Sequence, residues 1–379
     1  MAESTVDIQD ILRAMLQNEA SDLHLKVGSA PIVRLNGALL PLEHPPLDRG
    51  DLDRILAELL TDDQRERFAE SHELDCAVGV RQLGRFRANV ALQRGTPTIT
   101  LRAVPISIKT LSGLNLPPVV GHLALRPRGL VLVTGITGSG KTTTLASMVE
   151  HINARRHVKI ITIEDPIEFL FRDNQAFISQ REVGFDTANF EAGLRHAMRQ
   201  DPDVLLIGEI RDLETMDTAL TAASTGHLVF ASLHTTDAVQ TLQRILTFFP
   251  PHQHEEVRAM LSECLQGVIS LRLIPQADGQ GRVPACEVMV TSEAIRDHIL
   301  SPENIHGIGQ LIAQGGVQYG MQTFDQSLMG LYREGKITER EALANASTPA
   351  EFALRLRGIE ASSDRKWEPS AENTWEARS

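Results

Sequence analysis

The chain has 379 residues, room for two or three domains, and its 42% apolar content can fill their cores. A net charge of −12 argues against nucleic acid as a partner. Its three cysteines, Cys76, Cys264 and Cys286, lie too far apart for a disulfide framework or a zinc set. No signal peptide opens the chain, and no apolar run approaches the ~20 residues of a membrane span. A cytoplasmic protein without a direct membrane span is expected.

Residues 5–18 read as a helix whose face is Ile8, Ile11, Leu12, Met15 and Leu16. Residues 21–26 alternate as a strand, and 31–41 carry Asn36-Gly37 between apolar flanks, a hairpin signal. Helices follow at about 48–60 and 62–70, the second capped by Thr61. Residues 84–93 and 97–102 form a second hairpin. Its inner face is Phe86, Ala88, Val90 and Leu92 with Ile99 and Leu101; its outer face carries Arg85, Arg87 and Arg102. These arginines are either a solvated outer face or an anion-facing surface able to reach a neighbour's nucleotide. Residues 1–103 thus form a small α+β domain. The proline-bearing stretch 104–118 reads as a linker.

Next, Gly129–Thr134 is a short apolar, β-rich run. Gly135-Ile-Thr-Gly-Ser-Gly-Lys141-Thr142 follows and matches G-x-x-x-x-G-K-[ST]. After it, Leu145, Met148, Val149 and Ile152 share one helical face. Strand, glycine loop and helix are the context a phosphate-binding loop requires. Backbone amides of Gly135, Ile136, Thr137, Gly138, Ser139 and Gly140, with the helix start at Thr142 and Thr143, would cradle phosphate oxygens. Lys141 would reach the β- and γ-phosphates of ATP, and the Thr142 hydroxyl would reach Mg²⁺. Strands at 158–164, 203–208, 227–233, 268–274 and 286–290 alternate with helices through residue 290. That alternation predicts an α/β domain over 119–290, with a parallel-rich sheet binding its ligand beyond the carboxyl ends of the strands. Residues 291–357 read as a helical subdomain, and 358–379 as a disordered tail holding Trp367 and Trp375.

Three more clusters belong to the predicted site. Asp203–Glu209 is an apolar strand ending in a carboxylate placed to hold Mg²⁺. Glu164, Asp165 and Glu168 surround Pro166 in an acidic turn, a source for the group that orients and deprotonates water. His227 and His234 bracket one strand without any metal spacing; they are either structural histidines or stand beside phosphate, water or the acidic turn. All of these are expected at the carboxyl edge of the sheet.

Together these residues resemble the secretion ATPase superfamily, and within it the type IV pilus retraction (twitching motility) ATPases. The resemblance runs over about residues 5–357. It is densest in the phosphate loop, Ile161–Phe169 and Arg199–Asp212, and runs on through Thr225–Thr235 and Tyr319–Leu328. It implies a RecA-like P-loop ATPase domain, preceded by a PAS-like α+β domain and followed by a helical subdomain. It further implies a homo-hexamer hydrolysing ATP with Mg²⁺ and working on an inner-membrane pilus platform protein, with the chain cytoplasmic and peripheral at that membrane. Position by position, Glu209 matches the metal-binding carboxylate, Glu168 the catalytic glutamate ahead of Glu164, and His227 and His234 the histidine box. The resemblance makes Arg85, Arg87 and Arg102 trans-acting sensors. The four-cysteine zinc module common in extension and type II secretion relatives is missing. The retraction motif Ala-Ile-Arg-Asn-Leu-Ile-Arg-Glu reads here Ala294-Ile-Arg-Asp-His-Ile-Leu-Ser301. Alternatives are an accessory ATPase beside an active paralogue, an extension or type II secretion ATPase, and a nucleic-acid translocase.

Overall fold

The computed structural model describes residues 7–18, 20–35, 37–105 and 107–358. The expected tail and both tryptophans lie outside the described residues. The chain divides into two units: Met1–Ser107 with Glu168–Leu170, and Ile108–Ile167 with Phe171–Ser379.

The first unit holds α1 (Ile8–Gln17), β1 (Asp22–Lys26), β2 (Ile32–Leu35), β3 (Ala38–Pro41), α2 (Arg49–Leu59), α3 (Asp62–Ser71), β4 (Glu73–Val80), β5 (Gly84–Gln93) and β6 (Thr96–Ala103). Its six strands form one antiparallel sheet, ordered β3-β2-β1-β6-β5-β4. This is the small α+β domain the sequence predicts. Each helix starts where a side chain caps it. Asp7 accepts from the Gln9 amide at 2.8 Å, while Asp48 with Asp51 and Thr61 with Gln64 form capping boxes. Strand β4 escapes the sequence reading because its acidic residues and Gly79 hide the alternation of a half-buried edge strand. Phe86, Ala88, Val90, Ile99 and Leu101 are buried as expected. Leu92 is not: it flanks the turn at Arg94 and Gly95, both with positive φ, and is exposed.

The second unit opens with segments the sequence reading placed in a linker. Leu111 and Leu116 are buried in its core, and the Lys109 carbonyl accepts from the Ser147 hydroxyl at 2.7 Å. Then come α4 (Val119–Ala124), β7 (Gly129–Thr134), α5 (Lys141–Asn153), β8 (Lys159–Glu164), β9 (Phe177–Glu182), α6 (Phe190–Ala197), β10 (Val204–Ile207), α7 (Leu213–Ser224), β11 (Leu228–Leu233), α8 (Ala238–Phe248), α9 (His254–Cys264), β12 (Leu265–Pro275) and β13 (Arg282–Val290). The seven-stranded sheet has the order β13-β12-β7-β11-β10-β8-β9 and is parallel except for β12 against β13. Strands β7, β10 and β11 are buried at every position, which is why they read as unbroken apolar runs. The polar edge strand β9 gave no such signal. Cys264 and Cys286 are buried, and burial pushes both thiols up to about 12, so they act as small core residues.

After the sheet come α10 (Glu293–Leu300), α11 (Ile308–Gln314), α12 (Gly316–Tyr319), α13 (Phe324–Arg333), α14 (Glu339–Asn345) and α15 (Pro349–Leu356), the expected helical subdomain. Phe324, Leu328 and Phe352 pack with Ile274, Val283 and Ala285 of β12 and β13. No helix among the described residues is long and apolar enough to cross a membrane.

Candidate nucleotide site

The loop between β7 and α5 is built by its glycines. Gly135, Gly138 and Gly140 have φ of 143°, 78° and 97°, a region that costs any other residue steric strain. At Gly135 the space is also taken, since an added Cβ would lie 2.7 Å from the Leu271 carbonyl. Strand β12 therefore walls the loop. Gly140 caps α5 without a side-chain hydrogen bond, so the first amides of this 13-residue helix are left to another acceptor. The Ser139 hydroxyl is buried and has no hydrogen-bond partner among the described residues. Lys141, nearly buried, folds back to donate to the Gly135 carbonyl at 2.8 Å and the Ile136 carbonyl at 3.1 Å. An uncapped helix start, a buried orphan hydroxyl and an ammonium held in the same loop fit a phosphate chain. Thr142 and Thr143 occupy the first turn of α5, next to the lysine.

Three further candidates stand at the carboxyl ends of neighbouring strands. The order β7-β11-β10-β8 puts Lys141, His234, Glu209 and Glu164 after successive strands of the sheet. Glu209 accepts from His234 Nε2 at 2.8 Å and from Arg211 Nη2 at 2.9 Å. Burial pushes its carboxyl up. The Arg211 hydrogen bond and the charges of His234, Arg211 and Lys141 outweigh that and hold it below the usual carboxylate range. It is therefore an ionised, hard oxygen ligand fit for Mg²⁺. Glu164 ends β8 in a different way. It is buried, and its Oε1 accepts from the Thr162 hydroxyl at 2.7 Å and from Gln180 at 3.2 Å. Glu168 is half-exposed and pairs with Arg87 at 3.2 Å inside the first unit.

His227 corrects the expectation that every polar candidate lies at the carboxyl edge. It precedes β11, whereas His234 follows it. A six-residue parallel strand at ~3.3 Å per residue separates the two by roughly 20 Å. His227 instead closes the end of α7, its Nδ1 lying 3.0 Å from the Ala222 carbonyl and 3.5 Å from the Thr225 hydroxyl. The arginines do share a face, and Arg87 and Arg102 are direct cross-strand partners. Each has a carboxylate partner: Glu168 for Arg87 and Asp22 for Arg102, the latter at 2.7 Å. Burial pushes Asp22 up, but hydrogen bonds from Ser21 and Arg102 hold it below its ordinary value. Arg85 lies on the same strand face, with its backbone carbonyl accepting from Val104.

Two contributors had no role in the sequence reading. Arg211, two residues past Glu209, sits inside a motif segment that was recognised, so position alone could have raised it. Gln180 sits on β9, the strand that left no periodic signal.

A parallel sheet with a phosphate-binding loop, an ionised carboxylate and a histidine at adjacent strand ends defines a P-loop nucleotide-binding enzyme. Residues 3–306 match the family model described as type II/IV secretion system protein. Over 347 residues the chain is 42% identical to the type IV pilus retraction ATPase PilT of Pseudomonas aeruginosa, covering 92% of this chain and all of that protein. It is 39% identical to the type IV pilus ATPase PilU of the same organism, covering 95% and 94% of the two chains. A crystal structure of the pilus retraction motor PilT with bound ADP superposes with a TM-score of 0.84 at 43% identity, over 91% of this chain and 98% of that one. The chain belongs to the type II/IV secretion system protein family. It is a nucleotide-binding ATPase, and its fold is that of the PilT and DotB ATPases.

Proposed function

We propose that this ATPase is a ring-forming motor that powers type IV pilus retraction, and that the 119–290 region is its catalytic domain. The observation that carries the reading is the row of Lys141, His234 and Glu209 at consecutive strand ends, with Glu209 tied to His234 at 2.8 Å.

ATP would lie with its phosphates on the amides of Gly135–Gly140 and the open start of α5, where Lys141 exchanges its loop carbonyls for phosphate oxygens. Thr142 and Glu209 would hold Mg²⁺, which when bound neutralises charge developing on the transferred phosphoryl group. Arg211 and His234 keep Glu209 ionised for that task. Glu164 is held by Thr162 and Gln180, which suits it to fixing the end of β8. Glu168 is proposed as the water-activating carboxylate from its place in the motif. Arg85, Arg87 and Arg102 are proposed to sense a neighbouring subunit's nucleotide in a homo-hexamer. The inner-membrane platform of the pilus is the proposed load, and through it this cytoplasmic protein would be peripheral to that membrane.

A second reading is an accessory ATPase beside an active paralogue. It is favoured by similarity to PilU nearly equal to that to PilT, and by the end of α10, where the motif's second basic–acidic pair is replaced by an exposed Leu300 and the C-cap Ser301. Deletion in the host, scored for pilus length and twitching, tests both. Hyperpiliated, non-motile cells support retraction. Bald cells overturn it in favour of extension. A retraction defect together with negligible ATPase activity of the purified chain favours the accessory role.

A further inference from the structure

Strand β13 carries one charged residue within the run Val283–Val290, and that residue is Glu287. The residue is partly buried, while its carboxyl sits among protein atoms. A carboxylate on an otherwise apolar strand is costly unless it has a partner. Its Oε1 accepts from the backbone amide of Ala238 at 2.9 Å. Ala238 is the first residue of α8, so Glu287 satisfies one of the helix's open amides while Asp237 accepts from the Gln240 amide at 2.8 Å. Asp237, Arg272 and Asp325 are the charged groups close enough to act on the Glu287 carboxyl.

The chain between β11 and α8 is short: His234, Thr235, Thr236 and Asp237. At one end the sheet holds it, through Leu233 paired with Thr134 of β7. At the other end it is bound into α8. The Thr235 and Thr241 hydroxyls lie 2.6 Å apart, and Thr241 donates to the Asp237 carbonyl at 2.7 Å. His234, 2.8 Å from Glu209, thus stands on a short link that is held at both ends.

We propose that Glu287 is a positioning residue for the His234–Glu209 pair, holding the first amide of α8 and thereby the link on which His234 stands. The proposal rests on the reading that this pair serves ATP hydrolysis. The same carboxyl lies within reach of the Arg272 charge. The Arg272 guanidinium in turn stacks on Phe324 at 3.7 Å and donates to the Asn345 carbonyl at 2.7 Å, which ties it to the helical subdomain.

The test is steady-state ATPase activity of the purified full chain across ATP concentrations. Glu287→Ala is expected to lower kcat about tenfold, the scale of losing a partner that orients a functional imidazole, with KM moving less than about twofold. Glu287→Gln, whose amide oxygen can still accept from Ala238, is expected to keep most of the activity. Glu287→Asp keeps the carboxyl but is one methylene too short, and is expected to behave like Glu287→Ala; with the glutamine variant it carries the test if the alanine variant does not fold. Combined with His234→Ala, Glu287→Ala is expected to add no further loss, because it acts through that histidine. Full multiplication of the two losses overturns the proposal, as does wild-type kcat in both Glu287→Ala and Glu287→Asp beside a slow His234→Ala. Wild-type turnover in His234→Ala alone overturns the underlying reading of the pair, and this proposal with it.

Discussion

At the scale of single residues, Lys141 and Glu209 carry the strongest demands. The lysine is the nearly buried cation of the loop, and the glutamate is held ionised by Arg211, His234 and Lys141 against the cost of burial. Lys141→Ala and Glu209→Ala are each expected to reduce ATP turnover by roughly 10²-fold or more, since each removes a charge set before the reaction begins. A phosphate-release assay reads this directly. Glu168→Ala is expected to bind nucleotide normally and to hydrolyse it poorly; full turnover would remove Glu168 from the catalytic set. Glu287 supplies a pH prediction. Burial, aided by Asp237 and Asp325 and opposed by the Ala238 amide and Arg272, pushes its carboxyl up from 4.5 to about 7. The folded state then binds that proton more tightly than the unfolded state. The stabilisation is present below about pH 4.5 and is lost as pH rises through about 7. Compared with Glu287→Gln, the unmodified chain should therefore lose on the order of a few degrees of Tm between pH 5 and 8, readable by thermal unfolding.

At the scale of elements, the loop between β7 and α5 depends on β12. Gly135 has no room for a side chain beside the Leu271 carbonyl, and Gly140 faces Leu273 on the same strand. Gly135→Ala is expected to displace the loop and to weaken nucleotide binding by about 5- to 150-fold, since overpacking against backbone costs roughly 1–3 kcal/mol. Titration with a fluorescent ADP analogue measures it. In the first unit, the capping box at Thr61 and Gln64 starts α3. Thr61→Ala is expected to cost about 1 kcal/mol of stability, read by denaturant unfolding, with ATP affinity unchanged. These elements were legible early because each is written in contiguous residues. Strands β4 and β9 were not. At a sheet edge a strand needs no unbroken apolar run, and its polar side chains mimic a loop.

At the scale of the whole molecule, the proposed motor must assemble. Mass measurement in solution is expected to find a homo-hexamer, favoured by nucleotide; a chain that stays monomeric while hydrolysing ATP at full rate would defeat the trans-acting role of the arginine face. DNA and RNA are expected to leave ATPase activity unchanged, in keeping with the net charge of −12. The nucleotide loop, the alternating α/β pattern, the carboxylate-tipped strand and the helical end of the chain are all written in stretches of contiguous residues. Each is local, set by period, glycine placement and burial within some twenty residues. Long-range packing alone brings His234 to Glu209 while His227 stands at the opposite edge, gives Arg87 Glu168 as its partner, and carries Glu287 to the start of α8. Those pairings follow from strand order and direction, which long-range packing sets. Residues seven apart on a strand can end up far apart, and residues dozens apart in the chain can share one hydrogen bond.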